Sequence, residues 1–264
     1  MIESLLIANR GEIALRIIKA CNELNIKTIS IYSDADINSD YLKHSSETYY
    51  IGKSQPSESY LNIDKIIDIA NKTSVEAIHP GYGFLSENSA FAEKCAKNNI
   101  IFVGPDSNVL ELCGNKLKTR TLMEKAGVPI IPSYDKLITS ENDLINIAED
   151  IGYPVLLKSV YGGGGKGIRL VNSKKEISDV FHSAEKESKI SFDKIGFYVE
   201  KFLENVRHIE FQIMSDKFNN FLHLGERECS IQRRFQKLIE FTPSSIMDKI
   251  LRDKIGNIAI NVAK

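Results

Sequence analysis

The chain has 264 residues, of which 42% are hydrophobic and 26% charged, a composition of ordinary soluble globular proteins and a length for one large domain or two to three small ones. A formal net charge of -1 argues against nucleic acid or an anionic membrane as partner. No apolar run is long enough to span a bilayer, and the N-terminus lacks the basic start and long apolar core of a secretory signal.

Taken in order, residues 5–8 read as a first strand and residues 9–12 as a capping box, with Asn9 at the cap and Glu12 three positions on. A helix to about residue 24 follows, with Ile13, Ile17, Ala20 and Cys21 on one face, then a strand over 27–32 that ends at Asp34 and Asp36. This is a βαβ unit, whose strands pair in parallel. It carries one glycine rather than the three of a dinucleotide fingerprint. A helix over 63–70, a strand over 77–79, a helix over about 86–97 and a strand over 100–103 continue the alternation, which predicts a doubly wound α/β domain. Ligands of such sheets bind beyond the carboxyl ends of the strands, so residues 9–11 and the turn at 79–84 can both face a cleft. Taken alone, His79 and Tyr82 read as structural residues of a turn. Residues 106–126 read as one helix with a basic second half, and the first domain boundary falls between 113 and 132.

An amphipathic helix over 140–151 leads into the most informative stretch, residues 153–172. Apolar runs at 155–160 and 168–171 read as strands around a tip containing Gly162, Gly163, Gly164, Gly165 and Gly167. Lys158, Lys166 and Arg169 lie in or beside it. Backbone N–H groups unshielded by side chains form a concave anion site, and the lysines suit a polyphosphate. A strand rather than a helix follows the glycines, which excludes a dinucleotide fingerprint, and Gly167 is followed by Ile168 where a Walker A loop needs Gly-Lys-Ser/Thr. What remains is a flap between two strands that lies over phosphates.

A helix over 174–189 and a strand over 196–203 come next. From residue 207 the sequence alternates: His208, Glu210 and Gln212 face one way, Ile209, Phe211 and Ile213 the other. A turn at 215–220 and a returning strand at 221–224 predict an antiparallel pair with one polar face. Residues 226–237, dense in charges of both signs, read either as an exposed loop or as a site that handles anions. An amphipathic helix over 246–264 (Ile250, Leu251, Ile255, Ile258, Val262) has neither glycine cap nor proline and reads as unfinished at residue 264. The cysteines (Cys21, Cys95, Cys113, Cys229) are scattered without Cys-x-x-Cys, which suits reduced thiols in the cytoplasm rather than disulfides or zinc.

Ile-Ala-Asn-Arg-Gly-Glu-Ile-Ala at 7–14, His-Pro-Gly-Tyr-Gly-Phe-Leu-Ser-Glu-Asn at 79–88, the glycine hairpin, Arg-His-Ile-Glu-Phe-Gln at 207–212 and Glu-Arg-Glu-Cys-Ser-Ile-Gln-Arg-Arg-Phe-Gln-Lys at 226–237 together resemble biotin carboxylase. This is the ATP-grasp component of acetyl-CoA, propionyl-CoA and pyruvate carboxylases, and the resemblance runs from residue 1 to 264. It implies a Rossmann-like pre-ATP-grasp domain over 1–113, an ATP-grasp lid region over 114–204 and a truncated start of the ATP-grasp core over 205–264. The implied reaction is ATP-dependent carboxylation of biotin on a carrier protein, through carboxyphosphate made from bicarbonate. By this resemblance Lys116 and Lys158 contact ATP phosphates, and Gly164 and Gly165 supply lid donors. Glu200, Lys201, Phe202 and Leu203 line the adenine pocket, with His208 and Phe235 on the nucleotide side. Lys237 holds bicarbonate as the catalytic cation, with Gln232 and Tyr82 near biotin. Phe235 stands where the family usually has histidine, and Phe241 where it usually has an acidic residue.

The cofactors implied are ATP, Mg2+ and biotin. The magnesium carboxylates and the general base are expected beyond residue 264, with no metal ligand inside it, so the 264 residues alone are expected to be inactive. The partners implied are a biotin carboxyl carrier protein, a carboxyltransferase and a second copy in a homodimer. The alternatives are a non-catalytic nucleotide-binding module and another ATP-grasp ligase such as carbamoyl-phosphate synthetase; the motifs at 79–88 and 226–237 argue against the latter.

Overall fold

The computed structural model describes residues 2–160, 167–192, 196–233 and 235–264, and the side chains of all of these except 116, 117, 135, 136 and 190–192. The chain forms two compact units, Met1–Gly114 and Asn115–Lys264.

The first unit runs β1 (Ser4–Ile7), α1 (Gly11–Glu23), β2 (Lys27–Ser33), β3 (Glu47–Gly52), α2 (Ile63–Thr73), β4 (Ala77–His79), α3 (Ser89–Lys97), β5 (Ile101–Phe102) and α4 (Ser107–Gly114). Its five strands pair in parallel in the order β3-β2-β1-β4-β5. β1 is apolar at successive positions because both of its faces are covered. Leu6 joins the cluster built by Ile66, Ile67 and Phe91 of α2 and α3, while Leu5 and Ile7 join Ala14, Ile17 and Ile18 of α1. Each such fully buried aliphatic side chain contributes roughly 1.5–3 kcal/mol. The doubly wound expectation therefore holds, with three corrections. The buried face of α1 is Ala14, Ile17, Ile18 and Cys21, so Ile13 and Ala20 lie at its margin. α3 starts at Ser89 rather than near 86, because the Asn88 side chain accepts the Phe91 N–H and caps it there. The capping box does not form: Arg10 occupies the cap of α1 without a side-chain bond, and Asn9 is engaged elsewhere.

The second unit runs α5 (Lys116–Lys125), β6 (Ser133–Ile138), α6 (Glu141–Ile151), β7 (Val155–Ser159), β8 (Ile168–Val171), α7 (Ile177–Phe192), β9 (Phe197–Lys201), β10 (Ile209–Ser215), β11 (Phe221–Arg233), β12 (Gln236–Phe241) and α8 (Lys249–Ala263). The expected single helix over 106–126 is two, α4 and α5. Asn115 follows Gly114 and its side chain accepts the Lys118 N–H, so a new helix is capped where the old one ends. β6, β9, β7 and β8 form an antiparallel sheet in that order, and β7 and β8, which flank the glycine stretch in sequence, are paired as expected. Val155, Leu157 and Val199 pack with Leu144, Ile147 and Ala148 of α6 and Phe181 and Ala184 of α7.

β10, β11 and β12 form a separate antiparallel sheet. Residues 226–237 are thus not a loop: β11 continues to Arg233 and turns into β12. Alternation along β11 divides its charges. Glu226 and Glu228 are buried at 3% and 1% exposure, whereas Arg227 bonds to Glu210 of β10, its direct cross-strand partner. α8 is amphipathic in sequence, but its expected apolar face is not what it buries. Ile250 is 81% exposed, and the buried position is Gly256, where a Cβ would lie 2.5 Å from the His223 ring. The helix approaches β11 through its lack of a side chain at that point.

Candidate active site

In the first unit, the loops after β1 and β4 face each other across a cleft of about 320 Å³ lined by Asn9, Arg10, Gly11, Glu12, Ile13, Tyr82, Gly83 and Phe84. This is the point where strand order reverses, the expected position for a ligand crevice in a doubly wound sheet. Asp36 is 4% exposed and supports one wall: its carboxylate accepts from Tyr60 Oη at 2.7 Å, Ser33 Oγ at 2.8 Å and Arg10 Nη1 at 3.2 Å. Burial alone would raise the Asp36 pKa, but these donors outweigh it and hold the group ionised, below its ordinary value. The Arg10 guanidinium lies 6.0 Å from the centre of the Phe84 ring, which itself stacks on Tyr60 at 5.0 Å. Tyr82 is 58% exposed and donates its hydroxyl to Glu12. His79 is half-buried, accepts the Gly81 N–H on Nδ1 at 3.0 Å, and has its pKa lowered by burial.

In the second unit, Lys158 on β7 and Glu200 on β9 point to the face opposite the core and form an ion pair, with side chains 20% and 14% exposed. Lys201 turns its ammonium to the carbonyls of Gly152 and Tyr153, at 2.8 and 3.0 Å, and Phe202 N–H donates to Pro154 O at 3.1 Å. Leu203 is exposed. The Lys201 side chain thus secures the segment that enters β7. The glycine tip with Gly164, Gly165 and Lys166, and the side chain of Lys116, lie outside the described residues.

The polar face of the β10–β12 sheet gathers the remaining candidates. Lys237 of β12 and Arg227 of β11 both bond to the Glu210 carboxylate. Arg227 also donates to Gln212 Oε1 at 3.1 Å, and Glu240 lies 3.7 Å from Arg227 and 4.0 Å from Lys237. Gln232 Nε2 contacts His208 Nδ1 at 2.9 Å and donates to the Cys229 carbonyl at 2.8 Å. Burial would raise the Glu210 pKa, yet the two cations outweigh it and keep the carboxylate ionised; Glu210 in turn raises the pKa of Lys237. Lys237 is therefore a firmly charged cation with its side chain one-third exposed. The expected alternation of His208, Glu210 and Gln212 is what brings these groups to one face. Phe235 sits in the β11–β12 turn at φ 65°, 39% exposed. Glu210 was expected on this face, but Arg227 and Glu240 were not singled out from sequence. The period-2 pattern identified the face, but only the strand register reveals which charges meet.

Behind this face, Glu226 accepts from Arg252 Nε and Nη2, each at 2.7 Å, and Glu228 binds Arg207 at 2.7 Å and the Ser244 hydroxyl. Among the described residues, Glu210, Cys229 and Glu240 form a three-group cluster at metal-ligand spacing. It does not fit Mg2+, which takes oxygen ligands: one donor is a buried thiol, and Lys237 and Arg227 already hold the Glu210 oxygens. No helix among the described residues is long and apolar enough to cross a membrane.

Residues 1–110 match the family described as biotin carboxylase, N-terminal domain, and residues 115–264 that described as carbamoyl-phosphate synthase L chain, ATP binding domain. The chain is 47% identical over all its 264 residues to biotin carboxylase of Halalkalibacterium halodurans, covering 58% of that protein. It is 48% identical over 262 residues to biotin carboxylase of Nostoc sp., covering 59% of it. Among solved structures it is similar over its whole length to the Campylobacter jejuni biotin carboxylase–βγ-ATP complex, with TM-score 0.96, 46% identity and 59% of that chain covered. It is also similar to the biotin carboxylase domain dimer of Hydrogenobacter thermophilus 2-oxoglutarate carboxylase with MgADP, ADP and bicarbonate, with TM-score 0.95, 44% identity and 58% covered. The chain thus spans 58% or 59% of the length of each of these relatives. A Rossmann-like first unit followed by an ATP-grasp unit, matched throughout to these proteins, means that the chain belongs to the biotin carboxylase family.

Proposed function

We propose that the protein of which these residues form part carboxylates biotin on a carrier protein, using ATP and bicarbonate, as the first half-reaction of a biotin-dependent carboxylase. The observation that carries this reading is Lys237, a one-third-exposed ammonium with its pKa raised by Glu210, between Glu210 and Glu240 on a face that also presents Arg227, Gln232 and His208. A compact cation suits a small anion such as bicarbonate. Glu210 keeps it protonated without removing its remaining donors. Phosphoryl transfer from ATP to bicarbonate needs positioning and charge neutralisation more than covalent chemistry. On this reading Lys237 holds bicarbonate, with Gln232 and Tyr82 towards biotin.

The nucleotide would be held by Lys116 and Lys158 at its phosphates and covered by the backbone donors of Gly164 and Gly165. The Glu200–Leu203 strand end would flank adenine, with His208 and Phe235 nearby. Lys158 would exchange its bond to Glu200 for a phosphate oxygen. In this scheme residues 114–204 are the lid region and 205–264 the start of the ATP-grasp core. Mg2+ would neutralise the phosphates, through ligands other than the Glu210–Cys229–Glu240 cluster. The partners on this reading are a carboxyl carrier protein, a carboxyltransferase and a second copy, in the cytoplasm; the buried free thiols of Cys21, Cys95 and Cys229 suit a reducing compartment.

The test is Lys237→Ala in the complete protein. Carboxylation of biotin should be abolished while ATP affinity stays within about three-fold, as expected when a transition-state contact rather than a nucleotide contact is removed. Loss of ATP binding would reassign Lys237 to the nucleotide.

A further inference from the structure

The cleft of the first unit contains a loop held far more firmly than a surface turn requires. In residues 81–84, Gly81, Gly83 and Phe84 all have positive φ, at 65°, 67° and 38°. Such a conformation persists only where its surroundings over-determine it. Asn9 supplies most of that constraint. It is 3% exposed, and its Nδ2 donates to Pro80 O at 2.7 Å and to Tyr82 O at 2.8 Å, while its Oδ1 accepts the Arg10 N–H at 2.9 Å. The contact is close enough that a Cβ on Gly81 would fall 2.7 Å from Asn9 Nδ2. From the other side, Phe84 is stacked on Tyr60. The one side chain of the turn left projecting is Tyr82, and its hydroxyl is taken by Glu12 in the first turn of α1. Backbone and tip of Tyr82 are therefore fixed by two residues that bracket Arg10 and Gly11 in sequence.

We propose that Asn9 and Glu12 are positioning residues that present Tyr82 to the biotin-side ligand: Asn9 fixes the Tyr82 backbone and Glu12 orients its phenol. This rests on the reading that Tyr82 lines the biotin side of the site. Neither residue touches the reacting groups. Their effect is on how productively biotin is held, and it should appear in KM for biotin rather than in KM for ATP.

The experiment uses the complete protein with free biotin as the variable substrate. Glu12 is exposed, so Glu12→Ala should fold normally. The expected result is a rise in KM for biotin of roughly three- to ten-fold, with KM for ATP unchanged. Glu12→Gln, which retains an acceptor for the phenol, should recover most of the loss. Glu12→Ala should add nothing on top of Tyr82→Phe, because both remove the same bond. For Asn9, the variant is Asn9→Asp, which keeps the acceptor for Arg10 N–H and loses both donors. Its readout is the 13Cζ resonance of Tyr82 in the labelled 264-residue chain, which should shift as it does in Glu12→Ala. If Tyr82→Ala raises KM for biotin but Glu12→Ala does not, the positioning role is overturned while the reading of Tyr82 stands. If Tyr82→Ala itself has no effect on KM for biotin, that reading fails and the inference falls with it. An unmoved Tyr82 resonance in a folded Asn9→Asp chain removes Asn9 from the proposal.

Discussion

Replacing Arg252 by methionine tests the packing behind the polar sheet face. Arg252 donates to both oxygens of Glu226 at 2.7 Å, and Glu226 is 3% exposed on β11. The hydrogen bonds from Arg252 are the main cause that brings the Glu226 pKa from 4.5 down to about 2. That gap corresponds to about 3 kcal/mol of preferential stabilisation of the ionised carboxylate in the fold. Methionine keeps the apolar volume of the arginine stem and leaves a buried, ionised glutamate with backbone N–H donors alone, that of Ser244 at 3.2 Å and its own, a loss that costs about 3–5 kcal/mol in comparable buried pairs. Urea unfolding of the chain and of Arg252→Met at neutral pH should therefore differ by about 3 kcal/mol. The sign of the pH dependence follows from the lowered pKa: the contribution is fully present above about 4.5 and is lost as pH falls towards 2. The difference between the two proteins should then shrink as the pH is lowered through that window. A difference below about 0.5 kcal/mol at neutral pH, or one that does not change with pH, would refute the assignment of Glu226 as a buried charge held by Arg252.

Two further outcomes are expected. Gly256→Ala places a Cβ 2.5 Å from the His223 ring and should cost about 1–3 kcal/mol in urea unfolding, despite the higher helix propensity of alanine; a stabilised variant would show that α8 does not pack on β11 through this glycine. Lys158→Ala should weaken ATP binding to the 264-residue chain roughly 10- to 100-fold by isothermal titration, the scale of one charge-assisted contact, and unchanged affinity would remove Lys158 from the phosphate site.

The sequence was most legible where local pattern and tertiary demand agree. β1, α1 and β2 follow directly from an apolar run, a 3.6-residue period and a second apolar run, because the central strand of a parallel sheet must be apolar on both faces. The missed strands, β3, β6 and β12, lie at sheet edges, and with Glu-Thr-Tyr-Tyr-Ile-Gly, Ser-Tyr-Asp-Lys-Leu-Ile and Gln-Lys-Leu-Ile-Glu-Phe they carry a weaker apolar signal. Asn9 and Glu12 have the spacing of a capping box, but Asn9 bonds across to the loop after β4, a partner more than 70 positions away that no local pattern reveals. Among the candidate residues, Lys158, His208, Gln232 and Lys237 were singled out by motif and resemblance, whereas the ion pairs and hydrogen bonds of Glu200, Glu210 and Arg227 follow from strand register. Glu200 was expected to flank adenine, and its bond to Lys158 comes from the pairing of β7 with β9. The dense charges of 226–237 looked loop-like because a strand with buried glutamates on one face and an ionic cluster on the other has no apolar face to betray it.

The most direct test of the account is ATP-dependent transfer of labelled carbon from bicarbonate to free biotin by the purified complete protein. Acid-labile label on biotin that requires ATP and disappears in Lys237→Ala is the predicted result. Bicarbonate-dependent ATP cleavage that responds to ammonia or glutamine but leaves biotin unlabelled would contradict it, and would place the chemistry with carbamoyl-phosphate synthesis instead.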